Sequence, residues 1–224
     1  NSESEFNVDM IYSEPYKIEG RAYINNIKLK EFLPILEKMN IPIKKIDGVV
    51  DFIDISTDEN EEIIVNTKFN DILYNQKEWK NYIYAKGKNE VTIKFVLLDK
   101  KINVNQLEYK ADKININADG TITFDKKPFF NINAKVWDSK AENVLSLLPP
   151  NLVSKTMVIE KIKEYGVYGD VEGEANINGP IPHPDITGRV KGRNVKILDK
   201  DTQKKHKGTV DIVFNKRTLD MDIL

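Results

Sequence analysis

The sequence predicts a mainly β protein: a long antiparallel curled sheet, taco- or groove-like, carrying two or three short helices. Three observations lead there. Apolar residues recur with a period of two along most of the chain. Short polar junctions separate the alternating runs, so that successive strands fold back as antiparallel neighbours. Helical periodicity is confined to a few short stretches. Ordinary strand and loop lengths give roughly ten to twelve strands.

The alternation is clearest in the middle of the chain. Ile114, Ile116, Ala118, Ile122 and Phe124 are separated by Asn115, Asn117, Asp119, Thr121 and Thr123, and Gly120 keeps the phase. Asp119-Gly120 suits a hairpin turn, and the unbroken phase equally suits one long strand. Phe130, Ile132, Ala134 and Val136 repeat the pattern against Asn131, Asn133 and Lys135. Val91, Ile93, Phe95 and Leu97 form another set, as do Val171, Ala175 and Ile177 with Gly169, Gly173 and Gly179 in phase. Val210, Ile212 and Phe214 precede Leu219, Met221 and Ile223. Asp125–Pro128 and Asn215–Thr218 read as short hairpin loops. Each of these strands has one dry and one wet face.

Two stretches carry a helical stripe. Lys30–Asn40 places Phe32, Leu33, Leu36 and Met39 on one side, with Pro34 near the first turn. Ser139–Leu148 places Ala141, Val144, Leu145 and Leu148 together, with Ser139 as N-cap and Pro149-Pro150 as the stop. Thr156–Tyr165 is a candidate third helix. Helices of about three turns are not stable alone, so both are expected to dock on the apolar side of the sheet.

A shift of 112 positions superimposes Ile18, Ala22 and Ile24 on Phe130, Ala134 and Val136, and Phe32, Leu33, Ile35 and Leu36 on Val144, Leu145, Leu147 and Leu148. The chain therefore reads as one elongated segment, 1–224, with repeat units 17–128 and 129–224. The connector after the second helix is longer by roughly twenty residues, beyond common loop lengths. Repetition at a fixed spacing suits a stacked, elongated architecture. The polar run Asn1–Glu5 and the strand-like Leu219–Leu224 suggest a piece of a larger protein.

Charged residues make up 31% of the chain, yet the formal net charge is −1. That balance argues against nucleic acid as a partner, since phosphate binding needs a basic stripe. With no cysteine, disulfides and thiolate metal sites are excluded. No apolar run approaches the ~18 residues of a membrane-spanning helix. His183 lies between prolines and His206 in the basic run Lys204–Lys207, neither with a partner at metal-ligand spacing. Asp58-Glu59-Asn60-Glu61-Glu62 lacks the turn glycine of a calcium loop and reads as a solvated hairpin tip. Trp79 and Trp137 suit a core or edge position better than a sugar platform. No nucleophile, phosphate-loop or dinucleotide motif occurs. The residues thus specify no catalytic, cofactor-binding or metal site, and the reading is non-enzymatic, with no cofactor.

The segment Gly169–Pro180, GDVEGEANINGP, running into Ile181-Pro182-His183-Pro184-Asp185-Ile186-Thr187-Gly188, resembles the strand, Gly-Pro, short loop, Pro, strand, Gly unit of the AsmA-like and TamB family of envelope proteins. Phe32–Leu36 and Val144–Leu148 resemble that family's short leucine-rich helices between strands. The match is close over Gly169–Ile197 and a matter of texture elsewhere. The resemblance implies a periplasmic β-groove lined with apolar side chains, in a protein anchored in the inner membrane. It implies phospholipid transport between inner and outer membranes, with acyl chains as partners. It also implies an outer-membrane BamA/TamA-like β-barrel as a partner through parts of the protein outside this chain. The alternatives are a scaffold for assembly or translocation of outer-membrane β-barrel and autotransported proteins, and a structural or adhesive β-domain.

Phase alone supplies the candidate lining: Ile114, Ile116, Ile122, Phe124, Phe130, Ile132, Val136, Val171 and Ile177. An uncovered strip of this length would exceed the few hundred Å2 that soluble proteins leave exposed. It is either a trough that holds a ligand or the core of a sheet folded on itself.

Overall fold

The structure is a computed structural model. It describes residues 5–13, 17–38, 42–58, 61–77, 82–124, 128–147, 166–180, 185–198, 205–216 and 218–223. The candidate helix Thr156–Tyr165, His183 and Trp79 lie outside them. The chain is mainly β, antiparallel and not closed into a barrel, with two short α-helices. It divides into two units, Asn1–Asp112 and Lys113–Leu224. Sequence reading had placed the repeat boundary at 128/129.

The first unit holds β1 (Glu5–Ser13), β2 (Lys17–Lys28), a 3-10 turn (Leu29–Phe32), α1 (Leu33–Lys38), β3 (Ile43–Thr57), β4 (Ile63–Gln76), β5 (Ile83–Leu98) and β6 (Lys101–Ala111). The second holds β7 (Ile114–Thr123), β8 (Phe129–Lys140), α2 (Ala141–Leu147), β9 (Gly166–Pro180), β10 (Asp185–Leu198), β11 (Lys205–Lys216) and β12 (Thr218–Ile223). Within each unit every strand pairs antiparallel with its successor in the chain. Asp119-Gly120 forms no turn; β7 passes straight through it. The Asp58–Glu62 tip joins β3 to β4. It is closed by the Glu62 N–H, which donates to Asp58 Oδ1 at 2.9 Å, and by the Asp58 N–H, which donates to the Glu62 carbonyl at 3.0 Å.

The units repeat one another element by element. A shift of 112 residues places β2 on β8 end to end, and a shift of 123 places β3 on β9. The helix-to-strand connector accounts for the change of offset. It covers 39–42 in the first unit and 148–165 in the second, fourteen residues more, of which three make up for the earlier end of α2 and eleven raise the offset; sequence reading gave about twenty. Irregularities repeat too. Asn26 and Asp138, which the 112-residue shift superimposes, both have positive φ, at 52° and 40°. Asparagine and aspartate are the side chains that tolerate that conformation best.

A second correspondence concerns close approach. Gly20 in β2 faces Met10 in β1, and Gly120 in β7 faces Ile132 in β8. Ile132 is the counterpart of Gly20, so the same cross-strand pair contains one glycine in each unit, on opposite strands. Both glycines have φ in the region closed to side chains, 121° and 143°. A Cβ at Gly20 would sit 2.0 Å from the Asp9 carbonyl oxygen, and one at Gly120 would sit 2.1 Å from that of Asn131.

The helices depart from expectation. Ser139 does not cap α2; it belongs to β8, is 1% exposed, accepts the Asn115 N–H at 2.9 Å and donates to the Trp137 carbonyl at 2.8 Å. Hydroxyl bonding at the strand end displaced the helix start to Ala141. Helix α1 buries no residue, and Phe32 and Ile35 are 37% and 54% exposed. Helix α2 buries Ala141 alone. Of the predicted helical stripes, Leu33, Leu36, Val144 and Leu145 are half-buried.

Candidate functional site: the one-sided apolar face

Register converts the period-two pattern into rows that run across the strands. In the second unit Ile116 lies opposite Val136, then Gly173, Val190 and Ile212. The next row is Ala118, Ala134, Ala175 and Gly188, and the next is Gly120, Ile132, Ile177 and Ile186. Beyond it Ile122 faces Phe130 and Gly179. Val171 faces Gly192, which faces Val210. Because residues directly opposite in an antiparallel pair share a face, all of these stand on one side of the sheet.

Seven of the nine candidate residues, Ile116, Ile122, Phe130, Ile132, Val136, Val171 and Ile177, share this side and are half-buried. Ile114 has the same phase but is 5% exposed, at the end of β7 beside the Asp138 irregularity. Phe124 follows the last residue of β7 and is 48% exposed, so it sits beyond the strand instead of continuing it. Half-burial is what crowding by same-face neighbours alone produces, since flanking side chains about 5 Å away shield each other's flanks but not their tips.

The first unit carries an equivalent face that sequence reading did not assign to the lining. One row is Val8, Ala22, Ile55, Val65, Ile93 and Leu107. The next includes Phe6, Ile24, Ile53, Val91 and Tyr109. The alternation Val91, Ile93, Phe95 and Leu97 was the signal for it.

The opposite faces are ionic and amide-rich. Arg21 grips Asp54 through Nε and Nη2 at 2.8 and 2.7 Å, and its hydrogen bonds hold that carboxyl below the usual carboxylate range. Arg189 does the same to Asp211, Lys68 pairs with Glu90 at 2.7 Å, and Arg193 pairs with Glu172 at 2.8 Å. Asn176 donates to Asn133 at 2.9 Å. A shallow concavity of about 520 Å3 is bordered mainly by wet-face residues, among them Asn117, Asp119, Asn133, Lys135, Glu174 and Asn176. Exposed pairs of this kind contribute little to stability, and their role is to keep one face wet.

Burial is sparse. Among the described residues Asn89 and Ser139 are buried most completely, at 1% exposed each, and apolar core residues follow, Val195 at 3%, Ile43 at 4% and Ile63 at 5%. Tyr109 donates to Asn89 Oδ1 at 2.5 Å, Asn89 donates onward to the Gly87 carbonyl at 2.7 Å, and burial pushes the Tyr109 phenol up to about 12. Among the described residues no group of three or more His, Asp or Glu side chains is placed to hold a metal ion. No family model matches the chain, and no curated protein and no solved structure matches it either.

Proposed function

We propose that the apolar face binds lipid acyl chains, and that the chain is a non-enzymatic, groove-forming segment of an AsmA/TamB-like envelope protein that carries phospholipid between membranes. The observation that carries this reading is the face itself: several rows of Ile, Val, Phe and Ala on one side of a sheet not closed into a barrel, most of them half-buried. Apolar surface of that extent is costly to hydrate, at about 25 cal/mol for each Å2. Acyl chains suit it because they are apolar, flexible and indifferent to sequence. The amide and ion-pair faces remain in water while the other side is occupied. On this reading the protein works in the periplasm of a diderm cell, and its working partners are phospholipids.

The test compares Ile132→Glu and Ile177→Glu, on the dry face, with Asn133→Glu on the wet face of the same strand as Ile132. Phospholipid retained through purification is measured by native mass spectrometry. The proposal expects lipid on the wild type and on Asn133→Glu, and its loss from the dry-face variants with circular dichroism unchanged. A wild type that carries no lipid, together with dry-face variants that unfold, would make the face an ordinary core.

A further inference from the structure

The wet face of the second unit carries a field of neutral hydrogen-bonding groups. Two rows run in register across β7, β8, β9 and β10. Asn133, Asn176 and Thr187 follow Asp119 in one, and Thr121, Asn131 and Asn178 precede Asp185 in the other. The first row is linked in part: Asn176 donates to Asn133 Oδ1 at 2.9 Å, and Asn133 donates to Asp119 Oδ2 at 3.4 Å. On its other side lies a row of Asn117, Lys135 and Glu174, and the two together border the concavity of about 520 Å3. That volume falls in the range of small-molecule sites.

Hydrogen-bonding capacity around this concavity is left open. Lys135 and Glu174 lie directly opposite each other yet form no ion pair, whereas Lys68 and Glu90, in the same relation in the first unit, close to 2.7 Å. On the other flank of Glu174, Arg189 is committed to Asp211. Among the described residues three buried side-chain oxygens have no hydrogen-bond partner, on Asn75, Asn103 and Asn117, and Asn117 borders the concavity. An orphan acceptor of this kind destabilises the protein that carries it. Beyond the concavity Phe129 stands on the same wet side, opposite Thr123 and Pro180, and is 39% exposed.

We infer that this face binds a neutral glycan, a short chain of sugar rings lying along β8 and β9. Sugar hydroxyls donate and accept at once, as carboxamides do, so neighbouring hydroxyls bridge Asn133, Asn176 and Thr187. One hydroxyl supplies the donor that Asn117 Oδ1 lacks. Lys135 and Glu174 each make a charge-assisted bond to a hydroxyl instead of pairing with each other. Phe129 takes the apolar C–H face of a ring at the far end of the field. Phosphate and other anions match the concavity poorly, because Asp119 and Glu174 outnumber Lys135 in its lining. The inference stands independently of acyl-chain binding, because it concerns the opposite side of the strands.

The experiment titrates the protein with cellotetraose, with tetra-N-acetylchitotetraose and with inorganic phosphate, and follows the side-chain carboxamides by nitrogen-15 NMR. At least one of the two sugars is expected to shift the signals of Asn117, Asn133 and Asn176 to saturation, while phosphate leaves them in place. Asn117→Ala removes the orphan acceptor, so its urea midpoint should hold or rise while its affinity for that sugar falls about tenfold, the worth of one hydrogen bond. Glu174→Ala, at an exposed position, should lower affinity by at least as much with circular dichroism unchanged. No saturable shift with either sugar, a saturable response to phosphate, or a variant that binds the sugar as well as the wild type would overturn the inference. So would a fall in the Asn117→Ala midpoint, which would make that side chain part of the fold and not of a site.

Discussion

Transposing the glycine of the first unit onto the opposite strand tests whether the two units share one backbone plan. Gly20→Ala alone places a Cβ 2.0 Å from the Asp9 carbonyl oxygen and 2.9 Å from the Met10 Cα, at a φ of 121°. The conformational strain by itself is about 1–3 kcal/mol. Both contacts are with backbone, which cannot swing aside as a side chain can, so the total is expected at ~3 kcal/mol or above. The second unit shows how the same site accommodates a large residue: Ile132 occupies the position of Gly20, and the strand opposite supplies Gly120. The double change Gly20→Ile with Met10→Gly copies that arrangement. It should recover much of the loss relative to Gly20→Ile alone, with a coupling of about 1–3 kcal/mol, read from urea unfolding midpoints of the four proteins in the cycle. A double variant as unstable as the sum of the two singles would refute the reasoning, because the glycines would then answer to separate local needs.

Removing the Tyr109 hydroxyl in Tyr109→Phe leaves Asn89 Oδ1 buried without its donor, and should cost about 1–3 kcal/mol in urea unfolding. The same variant should lose a tyrosine that ionises at about 12 in an absorbance titration. Acid should weaken the fold. Asp54 and Asp211 are held low by hydrogen bonds from Arg21 and Arg189, and Asp71 by the Gly87 N–H and then the Tyr84 hydroxyl. A folded pKa below the unfolded one gives stability that is complete above the unfolded value of about 4 and is lost as pH falls through the folded value. Urea midpoints should therefore drop below about pH 4, and Asp71→Asn should flatten that slope.

Much of the fold was legible because a half-wet strand writes its two faces into alternate residues. β7 and β8 could be read nearly to the residue from Ile114 to Val136, and the phase through Gly120 was the sign of one strand. What escaped has local causes. Ser139 looks like an N-cap in one dimension, but the partners of its hydroxyl, Asn115 N–H and the Trp137 carbonyl, are fixed by strand pairing. Phe124 keeps the phase but falls where the strand has already ended. The connector length was misjudged because the 112-residue alignment cannot see where β9 begins. Alternation alone placed seven of the nine candidate residues on one side of the sheet. The face of the first unit was overlooked because its strands carry more breaks: β3, β4 and β5 shift register at Asp47/Val49, Val50/Phe52 and Asn70/Ile72, and such shifts scramble a simple period-two count.

The most direct test of acyl-chain binding is a photocrosslinking scan along β8 with a carbene-generating amino acid placed singly at 130–136, in cells or with phospholipid vesicles. Phe130, Ile132, Ala134 and Val136 share the dry side, and Asn131, Asn133 and Lys135 the wet side. Lipid adducts, counted by mass spectrometry, should rise and fall with a period of two, high at even positions and near background at odd ones. A flat profile, or adducts only to protein, would contradict lipid binding by this face.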